Sequence, residues 1–215
     1  STLLDAYGLL EPIILGLFDA QRMSIFQRRR QHQDLVARFK TGKETLEIKV
    51  PISPMSIAGY VALSQKAVVI DDPYNPALLQ SIHPRLRFAD KFDKDNDFKT
   101  QNILCVPIMN AGVLMGVIQI INKVSGGFTE EDLKLGNALA LILGDKFRFE
   151  LGGTNNPFDL LVHKSLLDEA TLNDIQSSTP DIRALIQRLV SEHRISEEEI
   201  GNSLSIHYQV PFIPY

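Results

Sequence analysis

At 215 residues with 44% hydrophobic content, the chain carries enough apolar side chain for one large core or two modest ones, and its net charge of -4, with 22 basic and 26 acidic side chains interspersed, excludes a general attraction to nucleic acid or to an acidic membrane surface. The single cysteine, Cys105, excludes a disulfide framework and a four-thiolate zinc site. A reducing compartment fits, and with no apolar run near 20 residues and no signal-peptide pattern the expectation is a soluble cytoplasmic protein.

The chain begins at Ser1 inside a run that reads as a helix (Leu3, Leu4, Leu9, Leu10) and ends at Tyr215 straight after a proline, as an excised piece of a longer parent would. Met23 to Arg30 and Leu35 to Phe39 predict a hairpin, with Arg28, Arg29 and Arg30 as a solvated edge. A third strand follows, in which Leu46, Ile48 and Val50 alternate with polar residues until Pro51. Ser53-Pro54 predicts a helix start, serine as cap and proline in the first turn, leading into Ile57, Ala58, Tyr60, Val61 and Leu63. Val68 to Ile70 is a short buried strand ended by Asp71-Asp72-Pro73.

The polar stretch from His83 to Gln101 shows no periodicity, and such a long structureless segment in a compact domain predicts a lid over a cavity. Asn102 to Met109 and Val113 to Asn122 then predict two strands apolar on both faces, joined by a turn at Gly112. Both faces of the sheet must therefore be covered. Thr129-Glu130-Glu131-Asp132 opens a helix whose Leu133, Leu135, Leu139, Leu141, Ile142 and Phe147 form a wide apolar stripe. A seam of glycine, asparagine and proline at 152–157 separates this α+β region, residues 1–151, from a small all-α module over 158–215.

Candidate binding residues follow from their chemistry. Backbone amides near Ser56, at a helix start, suit a phosphate or carboxylate, although Ser56 also suits a plain capping role. Asp71 and Asp72 suit a base or sugar hydroxyl, or simply end the strand. Phe98 offers a ring face, or a lid anchor. Thr100, Asn102 and Gln119 offer polar groups near the lid, and Gln119, inside "VIQII", needs a partner from protein, water or ligand.

Nothing supports catalysis: Gly42-Lys43 is followed by glutamate and lacks the upstream glycine of a phosphate-binding loop. Cys105, mid-strand in "ILCVPI", reads as a small core residue. The five histidines have no partner at metal-ligand spacing, so neither metal nor cofactor is expected.

The segments "FKTQNILCVPIMNAGVLMGVIQIINK" and "GGFTEEDL", with "SIAGYVALSQKAVVIDDPY" upstream, resemble GAF domains, especially those of cyclic-nucleotide phosphodiesterases. The resemblance covers residues 3 to 150 and implies an antiparallel sheet with helices on both faces and a pocket for a small molecule, a cyclic nucleotide among the candidates. The family signature of nucleotide-binding members falls on Asn122, Lys123, Phe128 and Asp132, with Leu133 where a glutamate is expected. These four read as a structural lock, Lys123 meeting Asp132 in the first turn of the last helix. The single cysteine does not match the branch of the family that reduces free methionine sulfoxide.

In the second module "LVHKSLLDEATLND" from Leu161 and "LVSEHRISEEEIGN" from Leu189 form a repeat 28 residues apart, with capping Asp168 and Ser196. Thr179-Pro180-Asp181 opens another helix, and Val210-Pro211 stops the last. "RISEEEIGNSLSIHYQVPFIPY" resembles the end of the amino-terminal domain of ATPases that power type II secretion and type IV pilus assembly. Some of those members bind cyclic di-GMP through an Arg-Leu-Gly element; the matching positions, Asn156-Pro157-Phe158 and Ala184-Leu185-Ile186, lack the arginine and the glycine. That points to protein docking. The expected whole is a non-catalytic regulatory region of a secretion or pilus ATPase, homodimeric through terminal helices (Leu3, Leu4, Leu10, Ile14 and the Leu133 helix). The alternative is a ligand-free scaffold.

Overall fold

The computed structural model describes residues 3–29, 32–41, 44–95, 97–148, 151 and 156–208. Arg30, Gly42-Lys43, residues 152–155 of the seam and the closing "QVPFIPY" lie outside these, as do the side chains of Leu3 and Leu4. The chain divides into two compact units, Ser1–Gly152 and Gly153–Tyr215.

In the first unit α1 (Leu3–Phe18) precedes the strands β1 (Ala20–Arg28), β2 (Asp34–Thr41) and β3 (Glu44–Pro51). Then come α2 (Ile57–Ser64), β4 (Val68–Ile70), α3 (Pro76–Ile82), α4 (Lys91–Asp95), β5 (Ile103–Asn110), β6 (Val113–Lys123) and α5 (Glu130–Lys146). The strands form one antiparallel sheet in the order β3-β2-β1-β6-β5-β4. Ala111 and Gly112 both take positive φ in the turn between β5 and β6, the geometry a tight hairpin needs. Gly116 allows β1 to lie against β6, since a Cβ there would overlap the Phe26 carbonyl oxygen.

Alternation along the strands divides the core into two layers. Met23, Ile25, Leu104, Val106, Ile118 and Ile120 face one way, against Ile14 and Phe18 of α1 and Leu143 of α5. Phe26, Ile103, Cys105 and Val117 face the other, against Ile57 and Val61 of α2, Leu79 of α3 and Leu86. Both closing strands are apolar on both faces because each face is covered.

Two expectations are corrected. The helix after β3 begins at Ile57, not at Ser53-Pro54: Ser53 and Ser56 each precede a turn, but Ser56 accepts the Gly59 N–H at 3.1 Å and is the cap, while Ser53 Oγ accepts from Met55 N in the preceding turn. The segment between β4 and β5 is not structureless. Asn75 caps α3 by accepting from Ala77 N and Leu78 N, and α4 forms a short turn of helix within the stretch 83–101.

The second unit contains α6 (Asp159–His163), α7 (Glu169–Ser178), α8 (Ile182–Ser191) and α9 (Glu197–Tyr208), with no strand among its described residues. The repeat places matching residues in one core: Leu161 with Leu189, Leu167 with Ile195 and Leu172 with Ile200 are all buried. Asp168 caps α7 through Thr171 N, and Ser196 Oγ accepts from Glu199 N at the start of α9. Asp181 caps α8 by accepting from Ala184 N, at the start expected from Thr179-Pro180-Asp181. Of the positions matched to Arg-Leu-Gly, Phe158 and Leu185 are buried in this core, and Asn156 exchanges side-chain hydrogen bonds with Gln176.

Candidate functional site

The segment from Asp71 to Gln101 lies over the β1-β6-β5 face and is fastened by an aspartate. Asp93, 4% exposed, accepts from Tyr74 Oη at 2.7 Å, Thr100 N at 2.7 Å and Thr100 Oγ1 at 2.9 Å. These bonds join the start of the segment, its middle and its return to β5. The hydrogen bond to Asp93 is the main reason the Tyr74 phenol is pushed up to about 12, with desolvation and nearby acids adding to it. Tyr74 also meets Phe88 edge-on at 5.1 Å.

Beneath the lid runs a polar stripe on an otherwise apolar face. Ser24 of β1 stands directly opposite Gln119 of β6, and Arg22 is two residues along on the same side. The Arg22 guanidinium lies 3.8 Å from the centroid of the Phe98 ring and 5.3 Å from that of Phe92. Among the described residues no hydrogen bond or ion pair satisfies the side chains of Arg22, Ser24 or Gln119.

The residues singled out from sequence divide into two sets. Ser56, Thr100 and Asn102 have their polar groups engaged by the protein: Ser56 as a cap, Thr100 on Asp93, and Asn102 through Lys123 N at 2.8 Å and Gly126 O at 3.3 Å. Asp72 closes a turn by accepting from Tyr74 N, and Asp71 is exposed at the end of β4. Phe98 and Gln119 border the lid face, with Phe98 already covered on one side by Arg22.

The Asn122, Lys123, Phe128 and Asp132 group is a structural junction. Lys123 Nζ donates to Asp132 Oδ1 at 2.9 Å and to Phe18 O at 3.2 Å. Asp132 closes a capping box with Thr129. Burial alone would raise the Asp132 carboxyl, but the bond from Lys123, two bonds from Thr129 and the lysine charge outweigh it and hold it below the usual carboxylate range. Asn122, at positive φ, accepts from Gln101 N and donates to Lys99 O and Gln21 Oε1, tying down the root of the lid. Phe128 is buried in the layer beneath α1 and α5.

Sequence reasoning did not single out Arg22, Asp93 or Tyr74. Arg22 had a signal: it shares the parity of Ser24, and Gln119 already marked that face as polar. Asp93 had none, because its three donors come from a stretch without periodicity.

A cavity of about 160 Å³ opens on the lid between Pro73, Tyr74, Leu79, Leu86 and Phe88, below the roughly 300 Å³ of a usual small-molecule site. Cys105 is fully buried, and burial pushes its thiol up, leaving it an inert core residue. Among the described residues no group of three or more His, Cys, Asp or Glu is placed to hold a metal, and no helix is long and apolar enough to cross a membrane.

Comparison with known proteins agrees with this architecture. The GAF domain profile matches residues 13–145, more than half of the chain. The dual 3',5'-cyclic-AMP and -GMP phosphodiesterase 11A of Takifugu rubripes is 36% identical over 133 residues, covering 55% of this chain and 14% of the relative. The rod cGMP-specific 3',5'-cyclic phosphodiesterase alpha subunit of Bos taurus is 33% identical over 130 residues, 54% of this chain and 14% of the relative. The chain thus spans about a seventh of the length of these relatives.

Among solved structures, the GAF domain of an Acinetobacter phosphoenolpyruvate-protein phosphotransferase superposes with a TM-score of 0.54 at 17% identity, covering 72% of this chain and 87% of that one. The corresponding domain from Coxiella burnetii gives 0.53 at 19% identity, over 68% and 83%. The six-stranded antiparallel sheet, helices on both faces and matched residues place the chain in the GAF domain family, a family of small-molecule-sensing regulatory domains.

Proposed function

We propose that the chain is a non-catalytic regulatory region in which the GAF unit senses a small molecule and the helical unit docks to proteins of a secretion or pilus machinery. The observation that carries the sensing half is the fastened lid over free polar groups: Asp93 holds a cover across a face where, among the described residues, Arg22, Ser24 and Gln119 make no side-chain hydrogen bond or ion pair. The three side chains are half-buried, so their free polar groups are open to a ligand or to water. Cyclic nucleotides are the first candidates because relatives that this chain matches in sequence carry cyclic-nucleotide names. Leu133, standing where binding members have glutamate, weighs against them.

The docking half rests on the resemblance of residues 158–215 to the amino-terminal domains of type II secretion and type IV pilus ATPases. With no Arg-Leu-Gly element, this unit binds protein and not cyclic di-GMP. The setting is cytoplasmic.

The test is thermal unfolding of the whole chain against cyclic AMP, cyclic GMP and cyclic di-GMP. A ligand at 100 times its Kd adds about 2.7 kcal/mol, or roughly 5–11 °C for a unit of this size. No shift with any of the three sinks the nucleotide reading.

A second reading, a scaffold dimerising through its terminal helices, is favoured by one observation. Leu9, Ile13 and Leu17 recur every fourth residue along α1 and are 72%, 65% and 54% exposed, and Leu141 and Ile142 of α5 are each 64% exposed. Ile14, by contrast, is buried beneath the sheet layer and takes no part in that surface.

A further inference from the structure

We propose that Arg22 is the receptor for an oxyanion, a phosphate or carboxylate carried by the ligand of the lid face, with Ser24 and Gln119 as neutral donors beside it. The proposal rests on the sensing reading and specifies what that site recognises.

The argument starts from charge. Acidic side chains outnumber basic ones, 26 to 22, yet no carboxylate among the described residues pairs with Arg22. Other cations of the unit that lie against the fold have acidic partners: Arg29 pairs with Asp34, and Lys123 with Asp132. Arg22 is instead held by aromatic rings, Phe98 at 3.8 Å and Phe92 at 5.3 Å from the guanidinium carbon. A guanidinium lying over a ring keeps its N–H groups directed outward around its edge, in the plane that matches a carboxylate or phosphate bidentately. The rings thus orient the fork without consuming its donors.

The register supplies the neighbours. Ser24 stands opposite Gln119, and Arg22 lies two residues farther along β1, a diagonal separation of about 7–8 Å between Cα atoms that side chains of this length span. A hydroxyl and a carboxamide offer donors without adding charge, so a single anionic group is neutralised by one cation and hydrogen-bonded from below. Phe92 and Phe98 also belong to the segment fastened by Asp93, so an anion bound to Arg22 lies against the lid. The site commits to a charged ligand, and a neutral nucleoside lacks the group it reads.

The experiment measures thermal shifts of the full chain and of Arg22→Gln and Arg22→Lys at matched ionic strength. The probes are inorganic phosphate, succinate, cyclic AMP, cyclic GMP, adenosine and guanosine. Circular dichroism first establishes that each variant is folded.

The expected result is a shift with at least one anionic probe and none with the nucleosides. Apparent affinity should weaken roughly tenfold or more in Arg22→Gln and less in Arg22→Lys, which keeps the charge without the fork. Phosphate against succinate distinguishes the two oxyanion sources. An equal anion shift in wild type and Arg22→Gln overturns the role of Arg22 while leaving the sensor intact, as does an equal shift with nucleosides and cyclic nucleotides. No shift with any probe overturns both.

Discussion

Replacing Lys123 with methionine tests whether the junction between β6 and α5 is the structural lock its geometry describes. Methionine keeps most of the apolar stem but removes the ammonium that bonds Asp132 at 2.9 Å and Phe18 O at 3.2 Å. The paired side chains are only 14% and 9% exposed, so the orphaned carboxylate is poorly hydrated. Breaking a buried pair from one side costs about 3–5 kcal/mol. Asp132 retains the Thr129 N–H at 2.7 Å and the Thr129 hydroxyl at 3.0 Å, which places the expected loss at about 2–3 kcal/mol.

For a unit of this size that loss lowers the midpoint by roughly 5–10 °C, read by calorimetry of the whole chain. The pH dependence gives an independent check. The Asp132 carboxyl is held below its ordinary value of 3.8, so its contribution is fully present above that value and is lost as pH falls through the lower folded-state value. The gap between wild type and variant should therefore be constant from pH 5 to 7 and shrink below about pH 4. Adding Asp132→Asn to Lys123→Met removes the orphaned charge and should cost no further stability. A variant within about 0.5 kcal/mol of wild type at pH 7, or a gap unchanged at pH 3, would refute the lock.

Asp93→Asn removes the charge on which three donors converge; amide exchange in the lid, Thr100 above all, should quicken by roughly tenfold or more while β5 and β6 keep their protection. Unchanged exchange across 84–101 would show that the lid is held by packing alone. Gly116→Ala forces a methyl onto the Phe26 carbonyl and should cost at least about 2 kcal/mol in urea unfolding, whereas Gly8→Ala in α1, with nothing within 4 Å, should be neutral or gain about 0.5–1 kcal/mol. Equal effects at the two glycines would contradict the close β1-β6 approach. If the exposed stripe of α1 joins two copies, the double substitution Leu9→Glu, Ile13→Glu converts a dimer to a monomer by light scattering. A mass that the substitution leaves unchanged would count against that surface.

Much of the fold was legible because it follows from local rules. Continuous apolar runs in β5 and β6 required a sheet covered on both faces, and Thr129 with Asp132 declared the start of α5. Lys123 and Asp132 were readable as a pair because they are nine residues apart, at the two ends of one short connection. Gln119 stood out as a polar residue in a strand with no solvent-facing side.

Tertiary structure decided what those rules leave open. Ser53 and Ser56 are both acceptable caps, and the choice of Ser56 is made where α2 passes over the sheet at Ile57 and Val61. The lid has no period to read, since its order comes from Tyr74 and Thr100 meeting Asp93 across 19 and 7 residues of chain. Arg22 was not singled out, because sequence shows its parity with Ser24 but not what lies over it. Only the closed fold, by placing two aromatic rings of the lid over it and, among the described residues, no paired acid, makes it a charge that awaits a partner.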